Sequence, residues 1–379
     1  MAQPTATNVL LAGGGSAGHV NPLLAVAAKL RAQNISVVAL GTKLGLEKDL
    51  VPNAGIELLT IEKVPAPRRV NGDLVKFIPR ILTAYKTTRE YLKSRQIEAV
   101  IGFGGYVSAP AYLAARSLGI PVVIHEQNLR PGMANRLGAD WAKSVFLTFA
   151  QTPLKAKHGQ TQVVGLPLRP EIEQLAKDLQ DPQERERLRA AAAAKLGLDP
   201  AKPTLLITGG SLGALKLNRV LAQTAHLFPA DLQVMHLTGK GKSGEVLAAL
   251  EAQPAACQWQ VHEYFEDMTA VFAVADFAIC RSGAGTVAEL CALGIPALYV
   301  PLPIGNGEQK LNAAGHVEAG GALLIDDAQL SESVVTQQVL PLLASPDKLQ
   351  QMRVQTLELA QVDAAKVVAQ AVVELLDKN

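Results

Sequence analysis

Residues 8–27, NVLLAGGGSAGHVNPLLAVA, and residues 204–223, TLLITGGSLGALKLNRVLAQ, decide the fold. Each runs from a short apolar strand through a glycine cluster into a stretch with helical spacing. That order is the repeating unit of a parallel α/β sheet. In the first, residues 9–12 read as the strand, GGGSAGHVNP as the turn and residues 23–33 as the helix. Working outward, residues 37–40 read as a second strand, 99–105 as a strand and turn, 109–118 as a helix and 121–128 as a further strand with a polar end. A second pair of segments repeats in the same way. FAICRSGAGTVAELCALGIPALYV, residues 277–300, parallels AVIGFGGYVSAPAYLAARSLGIPVVI, residues 99–124, down to the Leu-Gly-Ile-Pro that closes each helix. The chain therefore reads as two similar α/β halves. The break is expected near 165–169, where GLPLR loses periodicity, and the last helical stretch, 363–376, is expected to pack back on the first half.

Composition agrees with two folded domains and removes other classes. At 379 residues the chain is long enough for two, and 49% hydrophobic with 18% charged residues is too apolar for disorder. The 31 glycines follow no three-residue period. Three cysteines, Cys257, Cys280 and Cys291, form no C-x-x-C, which argues against a disulfide framework or a zinc site and for a reducing cytosol. No run of 18 apolar residues and no secretory signal occurs, so neither a membrane span nor export by that route is expected. A net charge of +2 predicts no polyanionic partner by itself, but residues 63–95 hold nine basic residues against two acids. Val75, Phe77, Ile78, Ile81 and Leu82 lie among those charges, with Pro79 interrupting them, a pattern suited to reversible attachment to an anionic membrane face. A solvated helix face with some core residues is the plainer reading of the same segment. Nucleic acid is not expected, since aromatic interleaving is missing.

Three glycine turns open helices. Gly13-x-Gly15-x-x-Gly18 has dinucleotide spacing, but the second strand ends Leu40-Gly41-Thr42 with no acid before Glu47 to hold a ribose, so NAD is not expected. What survives is a helix N-terminus that offers free N–H groups to an anion. Residues 209–213, GGSLG, and 281–286, RSGAGT, repeat the arrangement, with Ser211 adding a hydroxyl to the second and Glu289 one turn into the helix after the third. Several such cradles suggest phosphate on more than one substrate. No D-x-D is present to bring a metal to a sugar nucleotide, so a mechanism without metal or other cofactor is the consistent expectation. His19, at a helix start that favours the neutral ring, is a candidate base; such histidines also cap or pack. His125 and Glu126 end a strand, with a structural hydrogen-bonding role expected of one of them. Gln127 and Asn128 beside them suit a hydroxyl-rich ligand.

With these residues assembled, the chain closely resembles the MurG family of N-acetylglucosaminyltransferases, which act on undecaprenyl-diphospho-muramoylpentapeptide in peptidoglycan synthesis. The resemblance rests on GGGSAGHVNPLLAVA, IGFGGYVSAPAYLAARSLGIPVVIHEQN, VGLPLRP, TGGSLGA, YFEDM, CRSGAGTVAEL and NGEQKLNAA, in the family's order from Gly13 to Ala314. It implies two facing Rossmann-like domains with a cleft between them, the GT-B architecture. Residues 1–165, with 363–379 packed back, would form the acceptor and membrane side, and residues 166–362 would bind UDP-GlcNAc. On the donor side the resemblance implies Ser211 at the diphosphate and Arg169 and Phe265 beside the uracil. Ala284, Gly285, Thr286, Val287 and Ala288 would line the nucleotide sugar, with Glu289 on the ribose and Gln309 on GlcNAc. From the first half it implies Ser16, Ala17, Gly18 and Asn128 closing over the donor and the acceptor diphosphate, Tyr106 and Glu126 as acceptor-side contacts, and His19 as first candidate base with Glu126 as second. The expected reaction inverts the anomeric carbon and joins GlcNAc to the muramoyl 4-hydroxyl, at the inner face of the cell membrane. A UDP-sugar epimerase on the same fold and a non-catalytic UDP-sugar-binding subunit are the competing readings, with an NAD oxidoreductase as the fold-level fallback.

Overall fold

In the computed structural model, which describes residues 7–64, 73–210, 213–303 and 307–377, the first quoted stretch forms β1 (Asn8–Ala12) and α1 (Ala17–Arg31). The remaining strands of the first sheet are β2 (Ser36–Gly41), β3 (Glu57–Thr60), β4 (Ile97–Gly102), β5 (Val122–Glu126), β6 (Ser144–Leu147) and β7 (Gln160–Val163). They pair in parallel in the order β3-β2-β1-β4-β5-β6-β7. Along β1, Val9 and Leu11 enter one apolar cluster while Leu10 and Ala12 enter another, so both faces are covered and the strand reads as an unbroken apolar run.

The second sheet repeats the plan. It holds β8 (Thr204–Thr208), β9 (Gln233–Leu237), β10 (Gln258–His262), β11 (Phe277–Cys280), β12 (Ala297–Tyr299) and β13 (Ala322–Leu324), in the order β10-β9-β8-β11-β12-β13, again all parallel. In each sheet the strand order reverses beside the first strand, between β1 and β4 and between β8 and β11. A crevice outside the carboxyl ends at such a reversal is where open parallel sheets bind ligands. These are two Rossmann-like α/β units.

The units comprise Met1–Pro170 with Val362–Asn379, and Glu171–Gln361. The break falls after Pro170; up to the expected 165, the chain is held in the first unit by Val164 in its core and by His125 Nε2, which donates to Gly165 O at 2.9 Å. The helix Ala364–Leu376 lays Ala365, Val368 and Val372 against Val20, Leu23 and Val26 of α1 in that core. Two local readings need correction. α1 begins at Ala17 rather than at residue 23, because Pro22 lies early in the helix, where only the bond to Gly18 O is given up. His19 therefore stands in the first helical turn instead of a loop. The helix α3 (Asp73–Ser94) likewise runs through Pro79. Further first-unit helices are α2 (Glu47–Asn53), α4 (Ser108–Ser117) and α5 (Met133–Ala139).

Two buried histidines tie the second unit's stability to pH. Burial pushes His236 down to about 3 and His316 down to about 4. The folded state keeps both neutral, whereas the unfolded chain protonates them near pH 6.5, so the unfolded state binds more protons below that value. Stability should fall from about pH 6.5 toward pH 4 by about 1.4 kcal/mol per pH unit for each ring. Urea unfolding of the second unit at pH 7 and pH 5 tests this: the midpoint should be clearly lower at pH 5, and an unchanged midpoint would refute it.

Candidate active site

In the first unit the chemistry-bearing residues gather at the carboxyl ends of β1, β4 and β5. Gly105, at φ +82°, carries the turn after β4 so close to the first glycine turn that a Cβ there would lie 2.7 Å from Gly14 O. Only glycine permits that approach. His19 is half-buried, with Nδ1 3.1 Å from Gly14 O and 3.2 Å from Ser16 Oγ. A carbonyl oxygen only accepts, so the partners assign the ring proton to Nδ1 and the lone pair to Nε2. Nε2 faces Gly104, where a Cβ would stand 3.2 Å away. Ser16 is the extended residue before α1, with no side-chain bond to the helix N-terminus; Ser16 and Gly18 are exposed and Ala17 is half-exposed. Tyr106 is 41% exposed, with the Lys63 ammonium 5.6 Å from its ring centre. A cavity of about 60 Å³ is lined by Gly14, Gly15, Thr42, Lys63 and Tyr106.

Glu126 is 2% exposed and fully engaged. Its Oε1 accepts from Asn128 N at 3.0 Å; its Oε2 accepts from Gly132 N at 3.0 Å and Asn135 Nδ2 at 2.9 Å. With three donors on two oxygens this carboxylate braces the loop after β5, which holds the half-buried Asn128. The geometry favours that role over proton abstraction. His125 is structural as well: burial pushes it down to about 4, and it bridges Gly165 O and the Gln127 amide.

Reading the sequence missed Glu47. Its place in the sequence suggests only a ribose ligand, too far along for the dinucleotide spacing. In the structure its side chain is fully buried at the start of α2, and its carboxylate accepts from Gly15 N and Thr42 N, both at 2.9 Å, and from Thr42 Oγ1 at 2.7 Å. Burial works to raise its pKa, but these hydrogen bonds outweigh it and hold the carboxyl below its usual range. One N–H of the first anion cradle is thus satisfied from within. The packing around it is tight: a Cβ at Gly14, Gly41 or Gly45 would approach Glu47 to 2.6, 2.5 or 2.0 Å, so glycines surround the one acid.

In the second unit, Gly209, Gly210 and Gly213 follow β8 and lead to the helix Leu215–Gln223; Ser211 lies outside the described residues. Gly283 precedes the helix Ala284–Leu293, whose opening turns carry Ala284, Gly285, Thr286, Val287 and Ala288, with Glu289 half-buried behind them. Gln309 begins the helix Glu308–Glu318 beside Glu308, and its Oε1 accepts from Leu302 N at 2.9 Å. Phe265 is half-buried, edge-to-face on His262 with centroids 5.2 Å apart. Arg169 is half-buried at the end of the first unit's main segment. Arg281 opens the third glycine turn. It is buried, with Nη1 donating to Val300 O at 2.9 Å and Pro301 O at 3.0 Å while pairing with Asp327 at 2.7 Å. It fastens the segment after β12 that leads to Gln309, and a charged residue inside an apolar strand end was the sign of it.

Residues 9–147 match the glycosyltransferase family 28 N-terminal domain and residues 204–370 its C-terminal domain. Two Rossmann-like units with strand-end glycine turns, matched in this order, define a two-domain glycosyltransferase of the GT-B class. Over 98% of both chains the sequence is 48% identical to the UDP-N-acetylglucosamine–N-acetylmuramyl-(pentapeptide) pyrophosphoryl-undecaprenol N-acetylglucosamine transferase of Bifidobacterium adolescentis. The crystal structure of Acinetobacter baumannii MurG superposes with a TM-score of 0.78 at 32% identity, covering 98% of this chain and 100% of that one. The chain belongs to the MurG family of N-acetylglucosaminyltransferases. A UDP-GlcNAc 2-epimerase from Neisseria meningitidis shares the fold alone, with a TM-score of 0.68 at 15% identity over 98% of this chain and 100% of that one.

Proposed function

We propose that this enzyme transfers GlcNAc from UDP-GlcNAc to the 4-hydroxyl of the muramoyl sugar of undecaprenyl-diphospho-muramoylpentapeptide. Likeness to the Bifidobacterium transferase over 98% of both chains is the observation that carries this reading. The acceptor 4-oxygen forms a bond to the anomeric carbon as the bond from that carbon to UDP breaks, and the electron pair leaves with the diphosphate. A sugar hydroxyl is a poor nucleophile, and His19 Nε2 takes its proton while Nδ1–H stays on Gly14 O. The N-terminal N–H groups of the helix Ala284–Leu293 favour negative charge on the donor. With its carbonyl oxygen on Leu302 N, Gln309 turns its amide donors to the sugar hydroxyls, and Glu289 accepts from the ribose. Ser16, Ala17, Gly18, Tyr106 and Asn128 hold the acceptor diphosphate and muramoyl group, and Arg169, Phe265 and Ser211 the uracil and donor diphosphate. Incubation with labelled UDP-GlcNAc, with and without lipid-linked acceptor, tests the reading. Label should reach lipid only when acceptor is present; release or rearrangement of the sugar without acceptor would favour an epimerase and overturn it.

The enzyme works at the inner membrane face through α3. On that helix Ile78 is 54% and Leu82 51% exposed, one turn apart, with Arg80, Lys86 and Lys93 also exposed. The grouping differs from the one drawn from sequence: Phe77 and Ile81 pack in part against the core, Arg89 reaches Ser117 and Arg95 pairs with Glu57. Arg68 and Arg69 lie outside the described residues. No described helix is long and apolar enough to cross a membrane. Each exposed basic group near anionic lipid contributes on the order of 1 kcal/mol, and the two aliphatic side chains add to it. The double change Ile78→Ser with Leu82→Ser should weaken sedimentation with phosphatidylglycerol vesicles by at least about tenfold, since full burial of an aliphatic side chain is worth roughly 1.5–3 kcal/mol and about half of each of these two is exposed. Equal sedimentation of variant and parent would refute the surface.

A further inference from the structure

Glu47 and His19 grip the same peptide unit from opposite sides. The Gly14 carbonyl that accepts from His19 Nδ1 at 3.1 Å and the Gly15 N–H that donates to Glu47 Oε2 at 2.9 Å belong to one planar trans peptide, so the two bonds point opposite ways. We propose that Glu47 is a positioning residue for the transfer, acting on His19 through the Gly14–Gly15 peptide so that the Nδ1–H tautomer is enforced and Nε2 is made more basic. The inference rests on the reading of His19 as base and extends it to a residue that touches neither substrate.

Three features of the packing support it. Thr42 N and Thr42 Oγ1 bind the other carboxylate oxygen, which keeps Glu47 from turning away. Gly14, Gly41 and Gly45 enclose the side chain so closely that no Cβ fits at any of them. On the other side of the peptide, the turn at Gly105 comes so near Gly14 O that a Cβ there would lie 2.7 Å from it. A carboxylate on an amide N–H polarises that amide and raises the negative charge on its oxygen. The bond that oxygen accepts is strengthened in turn, as in any hydrogen-bonded chain in a low-dielectric interior. The imidazole receives this through Nδ1–H, as it would from a carboxylate bound to it directly, and its tautomer is fixed by the same contact.

Glu47→Gln in the full-length enzyme tests this, because it keeps size and one accepting oxygen but removes the charge and sets an amide NH2 against either Gly15 N or Thr42 N. We expect kcat to fall by about tenfold or more, the cost typical of removing an outer partner of a working imidazole, with KM for UDP-GlcNAc within about twofold. Nitrogen-15 spectra of the His19 ring at neutral pH should change from a single Nδ1–H form to a mixture of tautomers. Unchanged kcat, or a lower kcat with the ring spectrum unaltered, overturns the proposal. If Glu47→Gln does not fold, Thr42→Val removes only the hydroxyl donor and should give a smaller loss with the same spectral change; no spectral change there also overturns it. His19→Gln separates the two levels. An inactive His19→Gln beside a fully active Glu47→Gln sinks the role of Glu47 and leaves the base standing, whereas a fully active His19→Gln sinks the base itself.

Discussion

Replacing His19 by glutamine should lower kcat by about 10² to 10⁴, the usual contribution of a positioned general base, and leave KM for UDP-GlcNAc nearly unchanged. Glutamine can still donate to Gly14 O, so the first turn keeps its shape while the proton acceptor is lost. The effect should fall on the chemical step because the imidazole does its work as the acceptor hydroxyl attacks, when the proton must leave. The measurement is steady-state transfer of labelled GlcNAc to lipid-linked acceptor, with unfolding of the variant followed alongside. A variant that turns over at the parent rate would remove His19 from the mechanism.

Glu126→Ala should act first on stability. The change removes the acceptor of three donors, Asn128 N, Gly132 N and Asn135 Nδ2, around a carboxylate only 2% exposed. A buried donor left without a partner, as Asn135 Nδ2 would be, costs about 1–3 kcal/mol, and the part-buried Asn128 and Gly132 amides, which water can reach, add less, so a loss of about 2 kcal/mol or more from the first unit is expected. The damage should spread, because Asn135 also accepts from the buried Tyr112 hydroxyl at 2.7 Å. Glu126→Gln should lose less, since one amide oxygen still accepts. Urea unfolding of the full chain would place the loss in the first unit's transition. Were Glu126 the base, Glu126→Gln would lose turnover while keeping its unfolding midpoint, so the pair of measurements separates the two roles.

The glycine turns and both sheets were legible because period and punctuation in sequence map directly onto strand ends and helix starts. The opening of α1 was not. Gly18 and Pro22 resemble loop residues, and only the contact of α1 with the sheet and the terminal helix decides that the helix includes them. Glu47 escaped for a related reason. Its partners lie at Gly15 and Thr42, and sequence distance gives no sign that two glycine turns meet over one acid. Among the basic-apolar residues of α3, composition could not say which apolar side chains face outward; core packing takes Phe77 and Ile81 and leaves Ile78 and Leu82. In the second unit the charge of Arg281 at an apolar strand end is visible in the sequence, but its partners Val300, Pro301 and Asp327 are remote along the chain and only the fold brings them to it.

The helix Ala364–Leu376 belongs to the core of the unit that begins the chain, yet it is translated after the whole of the other unit. At about 5–20 residues per second, a ribosome takes roughly 10–40 s to pass from one to the other. For that interval the nascent polypeptide carries an uncovered greasy stripe along α1. The second half can finish folding while the first still waits for its final piece, so maturation runs back to front, and chaperones have a defined window in which to shield the stripe.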